Sequence, residues 1–113
     1  MDKLSAPSPE LIARIQREVD FNDRLMGSTV HERAGIKAIS LYSIHELFML
    51  LHNPYPQIDL QRLEHWMRTV IKDEELADRI KTVICQPDSD LEKLLHIRDL
   101  VGERLKQCSQ QHG

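Results

Sequence analysis

The stretch that decides the predicted fold is Ser43-Ile44-His45-Glu46-Leu47-Phe48-Met49-Leu50-Leu51. Ser43 with Glu46 three residues later has the spacing of a capping box, in which the two side chains satisfy free N–H groups at a helix start. Most of the following side chains are apolar, and a helix with so little polar surface belongs in the centre of a domain. Pro54 disfavours helical backbone at Asn53. The stretch therefore predicts a buried helix that ends before Asn53.

Three further helices are predicted downstream, because a capping residue precedes each run of helical spacing. Asp59, Asp73 and Ser89 are these caps, and Ser89 stands in capping-box register with Glu92. The apolar stripes of the three helices are, in order, Leu60, Leu63, Trp66, Met67, Val70 and Ile71; Leu76, Ile80 and Val83; and Leu91, Leu94, Leu95, Ile97, Val101 and Leu105.

Upstream, Ser8-Pro9-Glu10 predicts a first helix, since it combines a capping hydroxyl, a proline in the first turn and an acid near the positive helix end. Helical spacing continues to about Met26, and Gly27 is expected to end the helix. The pattern is weakest over residues 27–40, where the spacing of Thr29 and Glu32 predicts at most a short helical turn. No stretch shows the sustained two-residue alternation of a strand.

These elements predict an all-α fold, a compact bundle of five to six short helices. The 113 residues fit one domain. We expect a flexible N-terminal lead over residues 1–8, a single helical domain over residues 9–108 and a frayed tail over residues 109–113.

The composition of the chain narrows the possible classes of function and its expected location. The net charge of −3 argues against a nucleic-acid-binding surface, because such surfaces draw their affinity from clustered Lys and Arg. The chain has no apolar run that resembles a secretory signal or a membrane span. A cytoplasmic location is therefore expected, in which Cys85 and Cys108 would stay reduced.

One run resembles a known family. It is similar to the signature of an uncharacterised family of small helical prokaryotic domains. That signature is Trp-x-Arg-x-Val and an aliphatic residue, followed by Asp-Glu-Glu-Leu-Ala and a closing aliphatic residue. The matching positions are Trp66, Arg68, Val70, Ile71, Asp73, Glu74, Glu75, Leu76, Ala77 and Ile80. The resemblance implies a helical fold over roughly residues 40–108. It implies no activity, because that family has none established.

His45, Met49 and His52 recur at helical spacing on the central helix and form a candidate metal site. Two imidazoles and a thioether on one face could bind copper, another soft-to-borderline ion or a haem edge. The alternative is a helix-packing or subunit interface, for which adaptable Met side chains are also suited. Cys85 and Cys108 have neither zinc-ribbon nor redox-pair spacing.

No catalytic motif is present. The sequence lacks a glycine-rich phosphate loop, a nucleophile elbow and a dinucleotide fingerprint, so we predict that the chain is not an enzyme and needs no cofactor. A third possibility is a small helix-turn-helix regulator around Lys72-Asp73. Its second helix begins with acidic residues that would repel phosphate, which argues against DNA reading.

The leading hypothesis is a non-enzymatic protein-interaction module or accessory subunit, either with another protein as partner or as a homodimer. It depends on apolar side chains that are spread over several helix faces, because one small core cannot bury all of them. Met, Trp and Tyr are also favoured at interfaces. The predicted partner-binding residues are Tyr42, Met49, His52, Tyr55, His65 and Trp66.

Overall fold

The computed structural model describes residues 4–31, 33 and 35–110, without the side chains of residues 31 and 110. Over these residues the chain forms five α-helices and a three-stranded antiparallel sheet. The elements are α1 (Pro9–Gln16), β1 (Leu25–His31), β2 (Gly35–Leu41), α2 (Ile44–Leu51), β3 (Pro56–Gln57), α3 (Leu60–Trp66), α4 (Glu74–Ile84) and α5 (Asp90–Gln110). A 3₁₀ turn at Phe21–Asp23 precedes β1, and a π-helical segment at Met67–Ile71 continues α3.

The predicted all-α helical bundle is wrong, because residues 25–31 and 35–41 pair as the two strands of a β-hairpin. β1 and β2 pair in one unbroken register from Leu25 opposite Leu41 to His31 opposite Gly35. The short β3 pairs with the other side of β1, which gives the strand order β2-β1-β3. The fold is therefore mixed, with helices packed against one small sheet.

Two glycines explain why this hairpin forms where a helix end was predicted. Gly35 has φ +71°, a left-handed conformation that L side chains rarely adopt, and it begins β2 directly after the turn. Gly27 lies inside β1, where an added Cβ would come within 2.7 Å of the Leu50 Cδ2 atom. Gly27 therefore permits the close approach of β1 to α2 and does not end a helix.

The first helix is much shorter than predicted. The Ser8 hydroxyl accepts the Leu11 N–H, as expected for its cap, but α1 ends at Gln16 and Arg17 is extended. The Val19 N–H donates to the Tyr42 carbonyl oxygen at 2.7 Å. This bond joins the chain after α1 to the end of β2, so long-range pairing replaces the predicted continuation of the helix.

The four downstream helix starts are confirmed. Side chains of Ser43, Asp59, Asp73 and Ser89 each accept a backbone N–H at the beginning of α2, α3, α4 and α5. Buried side chains from α2 belong to one cluster to which all five helices, β1 and β2 contribute. The helical scaffold is therefore the part that local patterns predict correctly.

A buried arginine joins the N-terminal segment to the helices. Arg104 of α5 and Asp73 are each 1% exposed, with 2.8 Å between Arg104 Nε and Asp73 Oδ2. Arg104 also donates to the Ser5 carbonyl oxygen and to Glu75. Residues 4–8 are the described part of the predicted lead over residues 1–8. They include backbone groups that form hydrogen bonds and the buried side chain of Leu4. Residues 1–3 and 111–113, at the ends of the predicted lead and tail, lie outside the described part.

Candidate functional site

The sheet has one covered face and one uncovered face. Strand alternation directs Leu25, Thr29 and Leu41 toward the helices, and all three are buried. The opposite side, called here the outer face, consists of Met26, Ser28, Val30, Ile36, Ala38, Ser40 and Gln57. None of these side chains is charged. In a chain with 29% charged residues, this face is a distinct apolar and neutral surface.

Exposure shows that the helices leave the outer face largely uncovered. Ile36 is 69% exposed, Met26 39% and Val30 37%. Val30 and Ile36 are direct neighbours across the hairpin, so their side chains form a continuous apolar patch near its tip. Large apolar side chains clustered in this way are typical of interaction surfaces.

The polar side chains of the outer face each bond to another side chain of that face. The Ser28 hydroxyl donates to Gln57 Oε1 at 3.3 Å, and the Ser40 hydroxyl contacts the Met26 sulfur at 3.4 Å. These contacts hold the side chains in place across the three strands. The face therefore presents a neutral sheet surface with hydrogen-bonded side chains.

β2 lies at the edge of the sheet, and among the described residues no strand pairs with its outer side. The direction of its free backbone groups follows from Pro56. Proline has no N–H, so Thr29 and Pro56 cannot exchange two hydrogen bonds and must be a non-hydrogen-bonded pair. Even-numbered residues of β1 then direct their backbone groups to β3, and odd-numbered ones to β2.

The β1–β2 register pairs odd-numbered residues with odd-numbered residues. In β2 the odd-numbered residues therefore bond to β1, while Ile36, Ala38 and Ser40 direct their N–H and C=O groups to the free edge. Tyr42 continues the same parity, and its backbone is already bonded: its N–H donates to Glu46 and its carbonyl accepts from Val19. The free edge consequently extends over residues 36–40 and stops at Tyr42.

Natural edge strands are usually protected by charged side chains, prolines or bulges. β2 has no proline, pairs without a bulge and contains one charged residue, Lys37. Lys37 belongs to the other face of the sheet and is exposed. Apart from Lys37, the edge has none of these protections, and its free backbone groups can pair with a further strand.

A groove of about 600 Å³ adjoins the outer face and shares Met26 with it. Its walls come from the segment before β1 and from α3, including Arg24, His65 and Trp66. Trp66 is 4% exposed, and its indole N–H donates to the Asp23 carbonyl oxygen at 2.7 Å. Trp66 thus anchors the start of β1 to α3 and contributes little accessible surface.

The predicted partner-binding residues lie at three separate places. Met49, on α2, is 60% exposed, His52 directly follows that helix, and Tyr55 is 67% exposed in the loop after it. His65 and Trp66 lie together in α3 beside the groove. Tyr42 is half-buried after β2. Their role in partner binding stays a prediction.

The predicted metal ligands His45, Met49 and His52 are all exposed on or at the end of α2. His52 Nδ1 lies 2.8 Å from the Phe48 carbonyl oxygen, and its ring packs edge-on against the Phe48 ring. In the described part of the chain, no three His, Cys, Asp or Glu side chains are grouped so that they could hold a metal ion. The metal or haem site stays a prediction, without a further His, Cys or carboxylate cluster to support it.

Sequence reasoning missed the residues of the outer face, above all Val30, Ile36 and Ala38. A signal was present in the β-branched residues on both sides of the turn at Gly35. The alternation of apolar and polar residues was interrupted, because several outward positions, among them Met26, Val30 and Ile36, are themselves apolar. The pattern therefore did not resemble a half-buried strand.

Comparisons with protein-family models, with curated proteins and with solved structures give no match for this chain. The resemblance carried by Trp66 and the Asp73–Ala77 run stays a prediction. The helices of the described residues include none whose length and apolar character would allow it to cross a membrane.

Proposed function

We propose that the chain is a non-enzymatic protein-interaction module that binds protein through the free edge of β2 and the adjoining outer face. The observation that supports this most directly is the combination of an uncharged, exposed sheet face with a strand edge whose one charged residue is Lys37. The same hypothesis followed from the many apolar residues of the sequence, but the surface proposed here differs from the residues predicted first, which are Tyr42, Met49, His52, Tyr55, His65 and Trp66.

Strand addition is the recognition mode that such an edge favours. Main-chain hydrogen bonds to the edge supply affinity, and alternate side chains of the added strand lie beside those of the host sheet. Here the added side chains would lie next to Ile36 and Ala38 on the outer face. This neutral surface favours apolar or small neighbours, because it offers them apolar contact and offers no ionic partner to a charged side chain.

A photo-crosslinking amino acid in place of Ala38, introduced in the native cells, tests the proposal. The matched control carries the same amino acid in place of Lys81, an exposed residue of α4. We expect a discrete polypeptide adduct from position 38 that position 81 does not give, with the attachment point mapped by mass spectrometry. Equal adduct patterns from both positions, or no polypeptide adduct at position 38, would contradict the proposed surface.

A further inference from the structure

We infer that the partner at the β2 edge is a second copy of this chain, paired antiparallel with β2 about a two-fold axis through Ala38. This inference rests on the proposed function and names its partner. It would make one six-stranded sheet in the order β3-β1-β2-β2-β1-β3.

The backbone groups of the free edge are symmetric about Ala38. Ile36, Ala38 and Ser40 each present one N–H and one C=O, and an antiparallel copy centred on Ala38 places Ala38 opposite Ala38 and Ile36 opposite Ser40. Each of these pairs exchanges two hydrogen bonds. Every free group between residues 36 and 40 is then bonded, so the edge is self-complementary and the assembly closes as a dimer.

Side chains favour the same register. On the outer face the small Ala38 side chains meet at the axis, and each Ile36 neighbours a Ser40. On the other face Lys37 lies opposite Ile39 of the copy, so no like charges are directly opposed.

Charge repulsion and occupied backbone groups disfavour the two neighbouring registers. Centring the pair on Lys37 would place the two ammonium groups opposite each other, which is destabilising. Centring it on Ile39 would place Ile36 opposite Tyr42, whose N–H and carbonyl are already bonded to Glu46 and Val19. Pairing centred on Ala38 therefore avoids opposed charges and also bonds all the free backbone groups of the edge.

The pairing also removes the exposed edge that a monomer would keep. Two outer faces join side by side into one neutral surface, because both copies present the same face of the sheet after rotation about an axis perpendicular to it. A heterologous strand could satisfy the backbone equally well, but the edge itself already contains a matching strand.

Sedimentation equilibrium of the purified full chain from about 1 µM to about 1 mM tests this inference. We expect a mass that rises to twice 13.2 kDa. Ala38→Pro removes one N–H from each copy at the axis and leaves the β1 ladder intact, so self-association should weaken about 10- to 100-fold. Leu91→Lys, at an exposed site on α5, is the control that should dimerise normally.

A charge exchange at the axis provides a second test that does not depend on proline. Ala38→Asp and Ala38→Lys should each be monomeric, because like charges meet at the axis, and a 1:1 mixture should recover the dimer. A strictly monomeric wild type overturns the inference, as does a dimer that Ala38→Pro, Ala38→Asp and Ala38→Lys leave unchanged. A monomer that still gives an adduct with a different protein from position 38 overturns the inference and leaves the proposed function standing.

Discussion

Gly27 of β1 faces Leu50 of α2 so closely that a Cβ on Gly27 would lie 2.7 Å from the Leu50 Cδ2 atom. The carbonyl oxygen of Gln57 would lie only 3.3 Å from the same Cβ. The hairpin therefore rests on α2 through a position that has no side chain. This contact lies on the covered face of the sheet and allows β1 to approach α2 more closely than a side chain at position 27 would permit.

Gly27→Ala should lower the free energy of unfolding by about 1–3 kcal/mol, because overpacking forces the strand or the Leu50 side chain to move. Urea denaturation measures the loss. Leu50→Ala removes the clashing atom, so the double variant should be less destabilised than the sum of the single variants. Strict additivity of the two effects would show that the close approach is not the cause.

Arg104→Met should destabilise the fold by about 3–5 kcal/mol, since it leaves the Asp73 carboxylate buried without its ionic partner. Chemical denaturation monitored by circular dichroism gives the value. Arg68→Met is the matched control: Arg68 pairs with Glu64 and Asp78, but its side chain is 33% exposed. Similar losses from both substitutions would contradict a special role for the buried pair.

Stability should fall in acid partly through Glu75. Burial opposes ionisation of this carboxyl, but the Ser5 backbone N–H, the Arg104 guanidinium and the Ser5 hydroxyl outweigh it and lower its pKa below the ordinary value of 4.5. A lowered folded pKa means that the unfolded chain binds the proton more readily. The stabilisation is then present above pH 4.5 and is lost as the pH falls below it through the folded pKa.

Glu75→Gln should therefore flatten the dependence of unfolding free energy on pH in that acidic window. Ser5→Ala, which removes the hydroxyl but keeps the N–H, should flatten it to a smaller extent. Urea titrations at a series of pH values below 5 provide the comparison. An unchanged slope in Glu75→Gln would exclude this carboxyl as a source of acid sensitivity.

The two thiols should react at very different rates in the folded protein. Cys85 is exposed, whereas Cys108 is 1% exposed, and burial raises the pKa of the Cys108 thiol. Thiolate is the reactive form, so Cys108 has neither access nor a favourable charge state. Brief treatment with N-ethylmaleimide followed by peptide mapping should label Cys85 alone, and denaturant should release Cys108. Equal labelling of both in the native protein would refute this.

Several helix starts could be predicted because their causes are local. Ser43, Asp59, Asp73 and Ser89 each bond to a backbone N–H within three residues, so the capping residue and its partner are neighbours in the sequence. The candidate interaction surface could not be predicted in this way. Val30 and Ile36 resemble core residues by their type, and only the pairing of β1 with β2 shows that they face outward.

By itself the sequence determined the helical scaffold from α2 to α5, because capping and apolar periodicity act over one or two helical turns. Tertiary structure decided the rest. Residues 17–24 leave the helical path because Val19 bonds to Tyr42, and Gly27 serves strand packing because Leu50 lies against it. Both contacts join residues that are distant in the chain, and no local spacing encodes them. The open edge of β2 follows from the same long-range pairing, since a strand becomes an edge only when its neighbours are known.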